Sequence, residues 1–240
     1  MRALQAVVFD LDDTLFPERD FVLSGFRAVA HWAEPRLGVP AERGFGELTA
    51  LFESGVRGDT FARWLKGHGG GDPSLESVMV EVYRSHQPRL SPRPGAPELL
   101  RRLKERYLLG LVTDGPVPVQ RAKLEALGLR ERFDAVVFSD ELGGGATRKP
   151  NPLPFNTVLD LLGAPGGRAV YVADNPAKDF LGARRAGMLS IRFRADDGIY
   201  RMLEPQTVEH APDEEIGSLL ELTRTLSRIQ SGATPVRGRL

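Results

Sequence analysis

The chain has 240 residues, enough to bury one good hydrophobic core and a smaller second one. Its 32 Lys and Arg balance its 32 Asp and Glu, so no long-range field steers it to nucleic acid or an anionic membrane, and the expected partner is a small molecule. The absence of cysteine excludes disulfides, thiolate catalysis and Cys-based zinc sites.

The chain begins with five residues and then the apolar run Ala6-Val7-Val8-Phe9, which reads as a short buried strand and is expected to leave no room for a signal peptide. No apolar stretch approaches membrane-spanning length, and the expectation is a cytoplasmic protein. The strand delivers Asp10-Leu11-Asp12-Asp13-Thr14 to one loop. Carboxylates crowded in one place repel unless a cation sits among them, and hard oxygen ligands suit Mg²⁺. Asp10 and Asp12, two apart, leave the strand on the same side, so one can attack while the other handles a proton. An Asx turn or a helix cap uses the same residues, and this segment alone leaves both readings open.

Residues 16–90 change character. Phe21, Val22, Phe26 and Val29, then Leu48, Leu51 and Phe52, then Phe61, Trp64 and Leu65, then Leu75, Val78, Met79 and Val82 recur at helical spacing. Four helices and no strand are expected, forming a second domain inserted into the first, between Phe16-Pro17-Glu18 and the proline-rich stretch 87–97. Arg57-Gly58-Asp59 in this block is read as a chance tripeptide, and the histidines at 31, 68, 86 and 210 as packing or surface residues.

From Pro94 helix and strand alternate. A helix from Pro97 to about Arg106 precedes a strand over 108–112, which ends in Thr113-Asp114-Gly115; a helix from Pro118, stopped by Gly128, leads to a strand over 135–138. Gly143-Gly144-Gly145 makes the approach to Arg148-Lys149-Pro150 a long, loose loop, and it lacks the spacing of a nucleotide P-loop. A helix over 153–162, a strand over 169–173, the cluster Asp174-Asn175-Pro176-Ala177-Lys178-Asp179, a helix from Pro176 to Gly187 and a strand over 189–193 follow. Such alternation with continuous apolar strands predicts an α/β fold, a parallel sheet covered by helices on both faces. Residues 213–230 read as one amphipathic helix, and 231–240 as a disordered tail.

The ordered set DxDxT, TDG, KP and DNPxxD resembles the signature of the haloacid dehalogenase superfamily of aspartate-nucleophile hydrolases, over about residues 4–195. Ala173 stands where that pattern usually has Gly. The resemblance implies a Rossmannoid sheet of order 5-4-1-2-3, a catalytic core of residues 1–15 and 91–230, and a helical C1-type cap of residues 16–90.

The motifs hold the parts phosphoryl transfer requires: a nucleophile, an acid/base, a cation and donors for the phosphoryl oxygens. Asp10 is expected to attack phosphorus, giving an aspartyl-phosphate, and Asp12 to protonate the leaving oxygen and then deprotonate water. The resemblance assigns Mg²⁺ to Asp10, the backbone carbonyl of Asp12 and Asp174, with Asp179 and Asn175 orienting ligands around it. Thr113, the N–H groups of Asp114 and Gly115, and Lys149 are expected to bind the phosphoryl oxygens. Dehalogenases lack the second carboxylate, so Asp12 points to a phosphatase acting on a small phosphorylated metabolite. A sugar phosphomutase shares all four motifs and is the alternative, with a non-catalytic phosphate-binding regulator behind it. Phe16, Arg57 and Arg63 are candidates for reading the body of the substrate.

Overall fold

The computed structural model describes residues 3–69 and 73–232. It divides into two compact units, one of residues up to 18 and from 91 on, the other of residues 19–90.

The first unit is built on a parallel sheet. Strands β1 (Ala6–Phe9), β2 (Leu108–Thr113), β3 (Ala135–Phe138), β4 (Ala169–Ala173), β5 (Leu189–Phe193) and β6 (Glu214–Ile216) lie in the order β3-β2-β1-β4-β5-β6. Read from the other edge, this is the expected 5-4-1-2-3 with one strand added beyond β5. β1 and β4 are buried along their whole length, as strands covered on both faces must be. Four of the strands fall at the bounds the apolar runs predict, and β2 extends one residue further, to Thr113.

Register places the polar clusters together. Phe9 pairs with Leu111 on one side and Val172 on the other, so the carboxyl ends of β1, β2 and β4 lie within two residues of one another in register. The Asp10 N–H still donates to the Val172 carbonyl at 2.9 Å, carrying the ladder one residue beyond the strand. Asp10, Thr113-Asp114 and Asp174 therefore emerge side by side at the carboxyl edge, where open α/β sheets bind ligands.

Helices α5 (Ala96–Lys104), α6 (Val117–Ala126), α7 (Leu153–Leu162), α8 (Asp179–Arg185) and α9 (Leu222–Ser231) belong to this unit. Alternate residues of the strands face one apolar cluster, in which Val8, Val112, Val137 and Tyr171 meet Phe155, Val158 and Leu159 of α7 and Phe180 and Ala183 of α8. Gly182 lets α8 approach closely, because a Cβ there would stand 2.7 Å from the Pro150 carbonyl oxygen.

Three expectations are corrected. Residues 213–230 are not one helix: β6 pairs in parallel with β5, Ile191 opposite Glu214, and a capping box between Ser218 and Glu221 opens a turn that leads into α9. The helix expected from Pro176 starts at Asp179, because the Asn175 side chain accepts the Ala177 N–H at 3.0 Å and closes a turn first. The stretch 139–147 is not a loose loop but two 3₁₀ turns, Ser139–Leu142 and Gly144–Thr147. Thr147 Oγ1 donates to the carbonyls of Ser139 and Gly144 at 2.6 and 2.8 Å, and Arg148 pairs both its Nε and Nη2 with Asp140 at 2.6 and 2.7 Å. The tail expected to be disordered lies, beyond residue 232, outside the described residues.

The second unit contains helices α1 (Glu18–Leu37), α2 (Ala41–Glu53), α3 (Thr60–Gly67) and α4 (Pro73–Ser85). Its core is aromatic: Phe26 meets Phe52, Phe61 and Tyr83 with ring centroids 6.2, 5.9 and 6.0 Å apart. The contacts with Phe52 and Phe61 are edge-on, an arrangement worth about 1 kcal/mol each beyond the area buried. Among the described residues no helix is long and apolar enough to cross a membrane.

Candidate active site

Asp10 is buried, and its Oδ1 accepts a hydrogen bond from Lys149 Nζ at 2.7 Å. The same ammonium lies 2.8 Å from Asp179 Oδ1 and donates to the Tyr171 hydroxyl at 3.0 Å. Asp179 is saturated, because its Oδ2 also accepts the Asn175 N–H at 2.9 Å and its Oδ1 the Tyr171 hydroxyl at 3.3 Å. A charge as deeply buried as the Lys149 ammonium is tolerated only with such partners. Burial disfavours that charge, and the Asp10 and Asp179 carboxylates outweigh it, so the group titrates well above an ordinary lysine.

Carboxylate oxygens of Asp10, Asp174 and Asp179 lie within 4.8 Å of one another, all three side chains buried. Burial pushes Asp10 up to about 6 even against the pull of Lys149. Burial, then the Asp179 and Asp10 charges, push Asp174 well above the usual carboxylate range. Three carboxylates are gathered here against the ammonium groups of Lys149 and Lys178. Asp10 Oδ2 and Asp174 Oδ2 are buried without a hydrogen-bond partner, whereas both oxygens of Asp179 are engaged. This donor set fits a hard divalent cation ligated by Asp10 and Asp174, with Asp179 holding Lys149 and the Asn175 backbone in place.

The Thr113 hydroxyl, at the end of β2, is also buried without a partner and lies on the same strand-end edge. The Asp114 carboxylate is structural: Oδ1 accepts the Ser139 hydroxyl, and the Lys149 N–H at 3.2 Å. Gly115 turns the loop with φ 125°, and Arg148 holds the Asp140 carboxyl below its ordinary range.

Asp12 sits in a different electrostatic setting from its neighbour. Its Oδ1 accepts from Lys123 Nζ at 2.6 Å and its Oδ2 from Gln120 Nε2 at 2.8 Å. Burial opposes its ionisation, but the Lys123 charge and these two hydrogen bonds prevail and hold the carboxyl below its ordinary value. The two carboxyls, two residues apart, are thus pushed in opposite directions.

Asp13 organises the loop. It takes φ 53°, a left-handed conformation that Asp tolerates, and its carboxylate accepts the N–H groups of Glu18 and Ile199 at 2.8 and 2.7 Å. The buried Arg93 side chain donates to its carbonyl, and the buried Arg192 to the Asp174 carbonyl at 3.1 Å.

Sequence reasoning did not single out Gln120, Lys123, Tyr171 or Arg192. For the first two a signal exists: residues 120, 123, 124 and 127 follow the i, i+3, i+4, i+7 spacing of a buried helix face, and the first two of those positions hold Gln and Lys. Of the candidates for reading substrate, Phe16 is completely buried, with Lys123 Nζ 5.9 Å from its ring centre. Arg57 lies over the Phe52 ring at 3.8 Å and donates to the Phe52 carbonyl, satisfying the end of α2; Arg63 pairs with Asp59 at 2.7 Å.

Three comparisons bear on this site. A family model described as haloacid dehalogenase-like hydrolase matches residues 4–187. Glyceraldehyde 3-phosphate phosphatase of Methanopyrus kandleri is 34% identical over 94% of this chain and 99% of its own. Phosphoserine phosphatase of Thermus thermophilus is 33% identical over 82% of this chain and 68% of its own. Among solved structures, a 2-haloacid dehalogenase from Pseudomonas syringae pv. tomato superposes with a TM-score of 0.63 at 26% identity, covering 94% of this chain and 99% of the other.

Proposed function

The chain belongs to the haloacid dehalogenase-like hydrolases and is a phosphoric monoester hydrolase of small metabolites, and from that premise we propose that it works through an aspartyl-phosphate on Asp10 with Mg²⁺. The observation that carries the reading is the pair of buried, unpartnered oxygens, Asp10 Oδ2 and Asp174 Oδ2, beside the Lys149 ammonium.

Asp10, Asp174 and the backbone carbonyl of Asp12 would hold the cation. Bound there, Mg²⁺ supplies the positive charge that keeps Asp10 ionised and draws a phosphoryl oxygen in. Asp10 then forms a bond to phosphorus as the bond to the leaving oxygen breaks, and Asp12 transfers a proton to that oxygen. In the second half Asp12 takes a proton from water as the water oxygen attacks phosphorus, freeing Asp10 and releasing inorganic phosphate. The Thr113 hydroxyl and the N–H groups of Asp114 and Gly115 bind phosphoryl oxygens, and Lys149 offsets the charge that nucleophile and phosphate bring together. Tyr171 and Asp179 hold Lys149 at this point.

A second carboxylate is what separates an ester hydrolase from a dehalogenase in this site, because an alkoxide departs with a proton and a halide without one. The whole-length similarity to a triose-phosphate phosphatase supports a short phosphorylated carbonyl or sugar as substrate. The helical unit is proposed to act as a cap that excludes water from the site and selects among such substrates. Phosphate release from a panel holding a triose phosphate, phosphoserine and a pyrimidine nucleotide, with and without Mg²⁺, tests the reading. Metal-dependent hydrolysis led by the triose phosphate is expected; no release from any ester in Mg²⁺ overturns it.

A further inference from the structure

Helix α6 runs away from the phosphate-binding edge, and a helix in that place is expected to turn apolar residues inward. It buries Val119 and Leu124, but it buries Gln120 and Lys123 beside them. The Lys123 side chain is only 6% exposed and sits 5.9 Å from the centre of the Phe16 ring, a setting in which an apolar residue of similar volume generally serves stability at least as well. Both polar side chains end on the same carboxylate. Lys123 takes Asp12 Oδ1 at 2.6 Å and Gln120 takes Oδ2 at 2.8 Å, so both oxygens of Asp12 have a donor of their own. The Gln120 amide makes a second bond from the same nitrogen, to the backbone carbonyl of Asp114. It thereby joins the loop that carries the acid/base to the loop that receives the phosphoryl group. Gly115 keeps room for it, since a Cβ there would stand 3.2 Å from Gln120 Nε2.

We propose that Lys123 and Gln120 are positioning residues for Asp12: by taking one oxygen each they fix the rotamer of the carboxyl that exchanges a proton with the leaving oxygen, and Gln120 registers that rotamer to the phosphate-binding turn. The proposal rests on the reading of Asp12 as the acid/base. Neither side chain touches the reacting atoms; each acts through Asp12. Its consequence is selective. An alkyl phosphate, whose leaving oxygen needs a proton, depends on the aim of Asp12, whereas an activated aryl phosphate, whose leaving oxygen departs unaided, does not. An ion pair that serves stability alone shows no such preference.

The experiment compares single-turnover phosphoryl transfer from an alkyl phosphate and from 4-nitrophenyl phosphate in the full-length chain, for wild type, Lys123→Met, Gln120→Leu, Asp12→Asn and the double variant Asp12→Asn/Lys123→Met. Lys123→Met should slow the alkyl ester about 10- to 100-fold and the aryl ester less than about 3-fold, with KM nearly unchanged. Gln120→Leu should show the same preference together with a raised KM, because it also releases the Asp114 loop. The double variant should be no slower than Asp12→Asn alone, since the lysine acts only through the missing carboxylate. Equal losses on both esters, or a further loss of similar size in the Asp12→Asn background, would make Lys123 a merely structural ion pair and overturn the proposal. Should Lys123→Met fail to fold, Lys123→Gln and Gln120→Leu carry the same comparison. Full alkyl-ester activity in Asp12→Asn is a distinct outcome: it removes the acid/base reading itself, and the positioning role with it.

Discussion

The sheet unit and the helical unit bury different chemistry. The sheet unit encloses Asp10, Asp13, Lys149, Asp174, Asp179 and Arg192, each costly to desolvate. In the helical unit the buried residues named above are rings and aliphatic chains, Phe21, Phe26, Phe52, Phe61 and Trp64, and its ion pairs Arg19–Glu53, Arg27–Glu42 and Arg63–Asp59 lie at the surface. Surface pairs of that kind contribute about 1 kcal/mol or less. One interior is arranged for reactivity, the other for packing, and the two have separate readouts. Both tryptophans, Trp32 and Trp64, fall in the helical unit, so fluorescence follows its unfolding while phosphate release follows the sheet.

The sharpest way to break the comparison is Asp10→Asn. The amide is nearly isosteric but a poor nucleophile, so turnover should fall about 10³-fold or more while the fluorescence-detected urea midpoint stays within error of wild type. Retained turnover would show that Asp10 is not the nucleophile. Removing divalent metal with EDTA should abolish activity and Mg²⁺ should restore it; full activity in chelator would mean that the unpartnered oxygens of Asp10 and Asp174 need no cation. A packing change should do the reverse. Phe26→Ala removes a ring that touches Phe52, Phe61 and Tyr83, and should cost about 3–5 kcal/mol in the fluorescence transition. A variant that loses less than about 1 kcal/mol would show that this aromatic cluster does not hold the helices together.

The difference between the interiors also explains what could be read from the chain. Buried strands are largely apolar runs, so β1, β3 and β4 stand where the sequence puts them, as does β5 although Ser190 and Arg192 interrupt its run, and the carboxylates that follow β1 and β4 come with them. Charges buried by partners far along the chain leave no such trace. Glu214 sits in β6 because Arg228 reaches it at 2.6 Å, and a buried Glu in a three-residue strand reads as helix surface. Lys123 meets Asp12 across 111 positions of sequence, and from local pattern alone a lysine on a helix is a solvated one. The segment before Lys149 looked loose because its glycines are visible and the Arg148–Asp140 fork that folds it is not.

The smallest effect expected concerns Glu47 of the helical unit. This half-buried carboxylate accepts hydrogen bonds from Arg43 Nε at 2.8 Å and Trp64 Nε1 at 2.8 Å, and pairs with His68 Nε2 at 2.6 Å. The Arg43 bond first, then those of His68 and Trp64, hold its carboxyl down at about 2 against an ordinary 4.5. A group whose folded value is depressed adds stability above its unfolded value and loses it as pH falls towards the folded one. The contribution should therefore be complete at pH 7 and decline between about 4.5 and about 2. Because Glu47 is about one-third exposed, solvent screens most of the interaction, and Glu47→Gln should cost about 1 kcal/mol at pH 7. Urea unfolding followed by tryptophan fluorescence at pH 7, 4.5 and 2.5 should show the gap between wild type and variant closing with acid. A gap of constant size would mean that Glu47 acts by shape and hydrogen-bond count, with no part played by its charge.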